Sequence, residues 1–199
     1  YPQGQNRSSF LPTIALIEAN LTVLNVDGGE DYRLRTLKPA EIFFVPDNDE
    51  NEQKLSDLFK NMSGGVAAEA GISVIHGREI PHKAKSEQVI WFDFRALCFG
   101  PRSQADYLYL AEHYEIVFLS GLERLTPQEK AEARRLTWLI DVLYDYRVKL
   151  CATSKVGVDD IYVEGDFAQE FTRTASRMVE MQSEAYLKLP HLTLNAPKS

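Results

Sequence analysis

Glu115-Ile116-Val117-Phe118-Leu119, then Thr126-Pro127-Gln128-Glu129, then a helical pattern reaching Arg147 and the run Val148-Lys149-Leu150-Cys151-Ala152 make up the stretch that decides the fold. The first run is short and almost wholly apolar, as a strand buried on both faces requires. Thr126 and Glu129 have the spacing of a capping box, and Pro127 takes the first helical position, where a missing N–H costs nothing. Leu136, Leu139, Ile140, Leu143 and Tyr144 then share one helical face. Two strands joined by a helix of that length run parallel, because only a crossover can span the return. The stretch therefore predicts an α/β fold with a parallel sheet.

Outward from it, Phe167 to Leu187 reads as a last helix with Phe167, Phe171, Met178 and Gln182 aligned, and residues 190–199 as a loose tail. Upstream, Ser103 with Asp106 can cap a helix running to about Tyr114. Ile72 to His76 and Val89 to Phe94 read as strands, separated by a charged turn at Pro81 to Glu87. Asn48 to Met62 puts Leu55, Leu58, Phe59 and Met62 on one helical face, and Gly64-Gly65 supplies the stop. Shorter strand signals lie at Thr22 to Val26, Tyr32 to Thr36 and Ile42 to Val45, after an apolar segment Phe10 to Asn20. The division that follows is a strand-rich segment over residues 1–98, a βαβα layer over residues 99–189 and the tail over residues 190–199.

Composition narrows the function classes. The 199 residues carry a net charge of -7, which argues against a nucleic-acid backbone as the main partner, since phosphate binding needs clustered Lys and Arg. Cys98 and Cys151 stand far apart, and His76, His82, His113 and His191 are scattered, so neither a disulfide framework nor a metal site is implied. A reducing cytoplasm is the simplest compartment. No run of apolar residues is long enough to span a membrane. The opening Tyr1-Pro2-Gln3-Gly4-Gln5-Asn6-Arg7 is neither a signal peptide nor an initiation site, and reads as a chain entered in its middle.

Conventional catalytic motifs are absent. No Gly-x-x-x-x-Gly-Lys-Ser/Thr occurs, and no glycine precedes a lysine. Gly28-Gly29 and Gly64-Gly65 fit turn and helix-stop positions. Trp138-Leu139-Ile140-Asp141 comes nearest to an apolar strand ending in a magnesium-side acid, but it lies within a helix and lacks the following Glu. Asp141 and Asp145 read as solvated helix residues rather than an acid–base pair, and Ser154 has no nucleophile-elbow glycines beside it.

Six blocks nevertheless stand in a specific order. They are Tyr1-x-x-Gly4-x-x-Arg7-x-x-Phe10-Leu11-Pro12, Asp31-Tyr32-Arg33-Leu34-Arg35, Trp91-Phe92-Asp93-Phe94 and Leu97-Cys98-x-x-Pro101-x-Ser103-x-x-Asp106-Tyr107. Ala133-Arg134-Arg135 through Leu139-Ile140-Asp141 to Tyr144, and Phe171-x-Arg173-Thr174-x-Ser176-Arg177-Met178-x-Glu180-Met181-x-Ser183, complete the set. Together they resemble the ZapE-type cell-division ATPases of bacteria and their mitochondrial relatives, a branch of the AAA+ P-loop proteins. Gln5 departs from the family's usual Leu.

The resemblance implies ATP hydrolysis with ATP and Mg2+ in the intact protein. It also implies a homo-oligomer, and contact with FtsZ or another division protein. In that family the phosphate loop and the acidic strand precede the segment that begins here at Tyr1, so this chain alone is expected to bind no cofactor. Arg7 matches the position of an arginine finger, a guanidinium offered to the γ-phosphate of a neighbouring subunit. Arg173 and Arg177 fit either a second-sensor role toward nucleotide or an ion-pair ladder with Glu170, Glu180 and Glu184 of their own helix. Lys149 to Lys155 echoes the family's sensor strand, though any strand entering a helix would use similar residues. Two other readings stay open: a non-enzymatic interaction module, and a mitochondrial relative concerned with protein quality control.

Overall fold

The computed structural model describes Leu37 and residues 41–192. The expected parallel pair is the centre of a five-stranded sheet. In chain order its strands are β1 (Phe43–Phe44), β4 (Ala84–Lys85), β5 (Val89–Asp93), β6 (Ile116–Leu122) and β7 (Lys149–Ser154). Across the sheet the order is β1-β7-β6-β5-β4, parallel throughout except for the antiparallel edge pair β4–β5. Strands from both sides of residue 99 thus share one sheet. A separate hairpin of β2 (Gly71–Ile75) and β3 (Arg78–His82) occupies most of the segment read as a strand plus a charged turn.

Helices cover both faces. Helix α1 (Asp49–Met62) buries Leu55, Phe59 and Met62 against Val89, Trp91, Ile116, Phe118 and Cys151. The alternate residues Ile90, Phe92, Val117, Leu119, Leu150 and Ala152 point the other way. There they meet α2 (Phe94–Cys98), α3 (Gln104–His113), α4 (Lys130–Asp145) and α5 (Ala168–Met181). This is the two-residue strand period at work in strands apolar on both sides. Each large apolar side chain fully buried here contributes about 1.5–3 kcal/mol. On the α1 face Phe59 stacks its edge against Phe118, with ring centroids 5.5 Å apart.

The caps expected from the sequence are present. The Glu129 carboxylate accepts from the Thr126 N–H at 2.8 Å, at the head of a 3-10 turn Pro127–Glu129 that leads into α4. The Asp106 carboxylate accepts from the Ser103 N–H at 2.7 Å and is buried beneath the Arg78 guanidinium, 2.7 Å away, which ties the hairpin to α3. The last helix is two: α5 stops at Met181, and Ser183 caps a short α6 (Glu184–Leu187) by accepting from the Tyr186 N–H. Phe167, Phe171 and Met178 are buried as expected, whereas Gln182 is only half-buried.

The buried Lys149 ammonium fastens this end, donating to the carbonyls of Arg147, Tyr186 and Leu189 at 3.0, 3.1 and 2.6 Å. Burial, helped by the nearby Arg147 charge, lowers its pKa to about 8. The expected tail is tied down where it starts, since the Leu192 N–H donates to the Tyr146 carbonyl at 2.9 Å. Arg7, Phe10 to Asn20, Thr22 to Val26 and Tyr32 to Thr36 lie outside the described residues.

Candidate functional site

The chain leaves β1 toward one face of the sheet, through α1, and leaves β7 toward the other, through α5. Adjacent parallel strands whose connections part in this way open a crevice at their carboxyl ends, the usual ligand position of doubly wound sheets. That rim is built from the ends of β1, β7, β6 and β5 and from the first turn of α1.

Polar groups meet there. Glu52, in the first turn of α1, accepts from the Ser120 hydroxyl at 2.9 and 3.0 Å and from the Thr153 hydroxyl at 3.3 Å. The Lys83 ammonium, from the link between β3 and β4, pairs with the same carboxylate and lies 3.7 Å from Asp93. The Trp91 indole N–H donates to the Ser120 oxygen at 2.7 Å, and the Gly121 N–H to the Thr153 hydroxyl at 3.1 Å. Gly121, with φ +76, sits at the irregularity where β6 slips register against β7; a side chain there would be strained. Beside this group Glu123 bridges Arg95 and Lys155, at 2.5 and 2.8 Å. Burial pushes the Glu123 carboxyl up, but the hydrogen bonds and charges of Lys155 and Arg95 more than reverse it and hold it below its ordinary range.

The chemistry of this rim is that of a filled site. The N-terminal turn of a helix ordinarily offers free N–H groups and a partial positive charge to an anion. Here Asn48 takes the Asn51 N–H on its side chain, at 2.9 Å, and the Glu52 N–H on its carbonyl, at 2.8 Å. Asp49, Glu50 and Glu52 add three carboxylates to the same turn. A phosphate approaching it meets like charge, and the crevice behind is spanned by the chain's own carboxylate. Among the described residues, no group of three or more His, Cys, Asp or Glu is placed to hold a metal ion, and no helix is long and apolar enough to cross a membrane.

Arg173 and Arg177 stand elsewhere, where α5 packs on α4. Both donate to Asp141 of α4, at 2.8 and 2.6 Å, and Arg177 lies 3.9 Å from Asp145 and 4.8 Å from the centre of the Tyr144 ring. The ladder along their own helix is therefore replaced by a clamp between helices. Asp141, read from sequence as solvated, is the acceptor for both guanidiniums and is 21% exposed. Glu180 turns to α4 as well: its hydrogen bond to Tyr144 is the largest influence raising that phenol's pKa. Lys149 to Lys155, the echo of a sensor strand, forms β7 and the adjoining residue, and delivers Thr153 to the rim. Sequence reasoning missed Glu52, Lys83 and Ser120. The available signal was that Ser120 and Thr153 each sit at the end of an apolar strand.

Residues 1–190 match the AFG1-like ATPase family. The chain is 36% identical over 192 residues to the cell division protein ZapE of Escherichia coli (strain K12), covering 96% of this chain and 51% of that protein. It is 30% identical over 220 residues to an uncharacterized protein of Schizosaccharomyces pombe, covering 96% and 48%. It is 24% identical over 221 residues to lactation elevated protein 1 homolog B of Danio rerio, covering 94% and 44%. No solved structure matches. The chain spans about half the length of the curated relatives it matches. A match running from the first residue to the end of the α6 region leaves one assignment: the chain belongs to the AFG1-like ATPase family.

Proposed function

We propose that this chain is the half of a ZapE-like ATPase that holds no nucleotide of its own, in a protein that acts in bacterial cell division through ATP hydrolysis and contact with FtsZ. The reading rests on one observation above the others. At the crevice where a doubly wound sheet would take its ligand, the chain's own Glu52 carboxylate bonds to Ser120 and Thr153, and an incoming phosphate would meet its charge. The sequence lacks the lysine-bearing glycine loop that would hold the β- and γ-phosphates. ATP and Mg2+ are then bound by the other half of the full-length protein, which works in the cytoplasm as a homo-oligomer.

In this reading Arg7 is the arginine finger presented to a neighbouring subunit, where its planar fork offsets charge on the transferred phosphoryl. Both arginines on α5 are bonded to Asp141; Arg173, 65% exposed, is the one that could leave that pair for nucleotide, while Arg177, 25% exposed, is also held against Tyr144. Isothermal titration of residues 1–199 with Mg-ATP tests the core of the proposal. The expected result is no saturable heat at micromolar nucleotide; micromolar affinity would overturn it.

A further inference from the structure

Away from the rim and from the α4–α5 clamp, one surface runs against the acidic character of the chain. A cleft of about 540 Å³ is lined by Arg102, Lys130, Arg134 and Arg135, with Gln128 and Trp138 beside them. Lys130, Arg134 and Trp138 recur at intervals of four residues and so share one stripe of α4, with Arg135 next to it. Arg102 enters from the loop between α2 and α3. The chain as a whole has a net charge of -7, so this gathering of cations is a local inversion.

The cations are positioned before any ligand arrives. Arg135 donates to the Cys98 carbonyl at 2.7 Å and to Glu132 at 3.0 Å. Arg102 donates to the carbonyls of Ala96 and Glu79 at 3.2 and 3.4 Å. The Arg134 guanidinium lies 5.4 Å from the centre of the Phe167 ring. Lys130 pairs with Asp166 at 3.0 Å. Two carboxylates, Glu132 and Asp166, thus answer four cations. Guanidiniums already fixed by carbonyls and a ring lose little freedom on meeting an anion, and their forked donors match a carboxylate in the plane.

We propose that this cleft docks a carboxylate-rich segment of a partner protein, with Arg102, Lys130 and Arg134 meeting its acids and Trp138 covering an apolar residue between them. A nucleic-acid strand fits less well, because the cations fill one short cleft on an acidic chain and form no track along which a phosphate backbone could run.

Trp138 supplies the readout. The only other tryptophan, Trp91, is buried in the sheet at 3% exposure, so a change of emission on titration reports the cleft. The probe is a short capped peptide of alternating Asp and Glu with a central Phe, added to the full chain. The expected result is saturable quenching or shift, weakened by salt, absent in Trp138→Phe, and about tenfold weaker in the Lys130→Gln/Arg134→Gln double variant. Equal binding by the Asn/Gln version of the peptide would overturn the proposal, and that arm decides even where the double variant melts early. Tighter binding of single-stranded oligo-dT would make the cleft a nucleic-acid site, and displacement of the peptide by inorganic phosphate at equal concentration a small-anion pocket. Concentration-dependent self-association abolished in the double variant would make the occupant a second copy of this chain. Each of these results sinks the proposal.

Discussion

Replacing Glu52 by Gln keeps the shape of the side chain at the rim and removes its charge. Ser120 and Thr153 hydroxyls can still donate to the amide oxygen, but the bonds become neutral, and Lys83 loses its nearer carboxylate, keeping Asp93 at 3.7 Å, the Ser120 oxygen at 3.5 Å and the Trp91 ring. Hydrogen bonds to a charged group contribute about 1.5–3 kcal/mol and neutral ones about 1. Glu52 is 30% exposed, which weakens the ionic part through solvent. The expected loss is roughly 1–2 kcal/mol, a fall in Tm of about 2–8 °C for a chain of this size. Ser120→Ala carries a separate cost, because it orphans the buried Trp91 indole N–H, at about 1–3 kcal/mol. The two changes share a bond, so urea melts of both single variants and the double variant should show a coupling near 1 kcal/mol. Additive losses would mean that the Glu52 carboxylate is not bound to Ser120. An unchanged melt for Glu52→Gln would remove the ground for treating the crevice as filled.

Phe171, on α5, is 2% exposed and packs its ring against Tyr162, so Phe171→Ala should cost about 3–5 kcal/mol; a thermal melt within error of the parent would show that α5 does not pack this way. Lys149 has a folded-state pKa lowered to about 8 from its ordinary 10.5. Below pH 8 both states hold the proton; between about 8 and 10.5 only the unfolded state does, so stability should rise with pH across that window. Urea midpoints of the parent relative to Lys149→Met check the sign, and a difference that is flat or falls with pH contradicts it. Arg7→Ala in the full-length protein should leave ATP affinity nearly unchanged and lower turnover at least about tenfold, roughly 1.4 kcal/mol of barrier. Mixing it with a phosphate-loop variant should restore part of the activity, and no recovery from assembled, folded mixtures would place the action of Arg7 within its own subunit.

The parts of the fold legible in the sequence are those where one local rule acts alone. The run Glu115 to Leu119 is apolar on both faces, and the Thr126/Glu129 box has no competing signal, so β6 and the start of α4 follow directly. The hairpin strand β3 was not legible because Pro81 and the charged Arg78 and Glu79 suit a turn as well as a ribbon of which only Ile80 is fully buried. Phe92, Phe94 and Ala96 alternate with Asp93 and Arg95, a strand-like period that runs into Phe94–Cys98, and so short a segment does not separate a buried helix from a strand. Nothing in Gln182-Ser183 announces the end of α5, since Ser stops a helix only when its hydroxyl finds the Tyr186 N–H.

The candidate sites were less legible for a related reason: their bonds are long in sequence. Arg173 and Arg177 had acids three and four residues away, and the local rule gave those as partners. Packing decided otherwise. The stripe that buries Phe171 and Met178 also turns Arg173, Arg177 and Glu180 toward α4, where Asp141 and Tyr144 wait 32 or more residues back in the chain. A contact at an interface half shielded from water outweighs an exposed i,i+4 pair of a few tenths of a kcal/mol. Glu52 is the sharper case. In the sequence it is one of three acids in a first helical turn, a pattern that helix-dipole complementarity explains fully. Its bonds to Ser120 and Thr153 cross 68 and 101 residues. Those bonds exist only because the connections leaving β1 and β7 part to opposite faces, which sets the first turn of α1 over the ends of β6 and β7. A carboxylate that is ordinary by every local measure becomes, by topology alone, the group that stands where a doubly wound sheet would receive a phosphate.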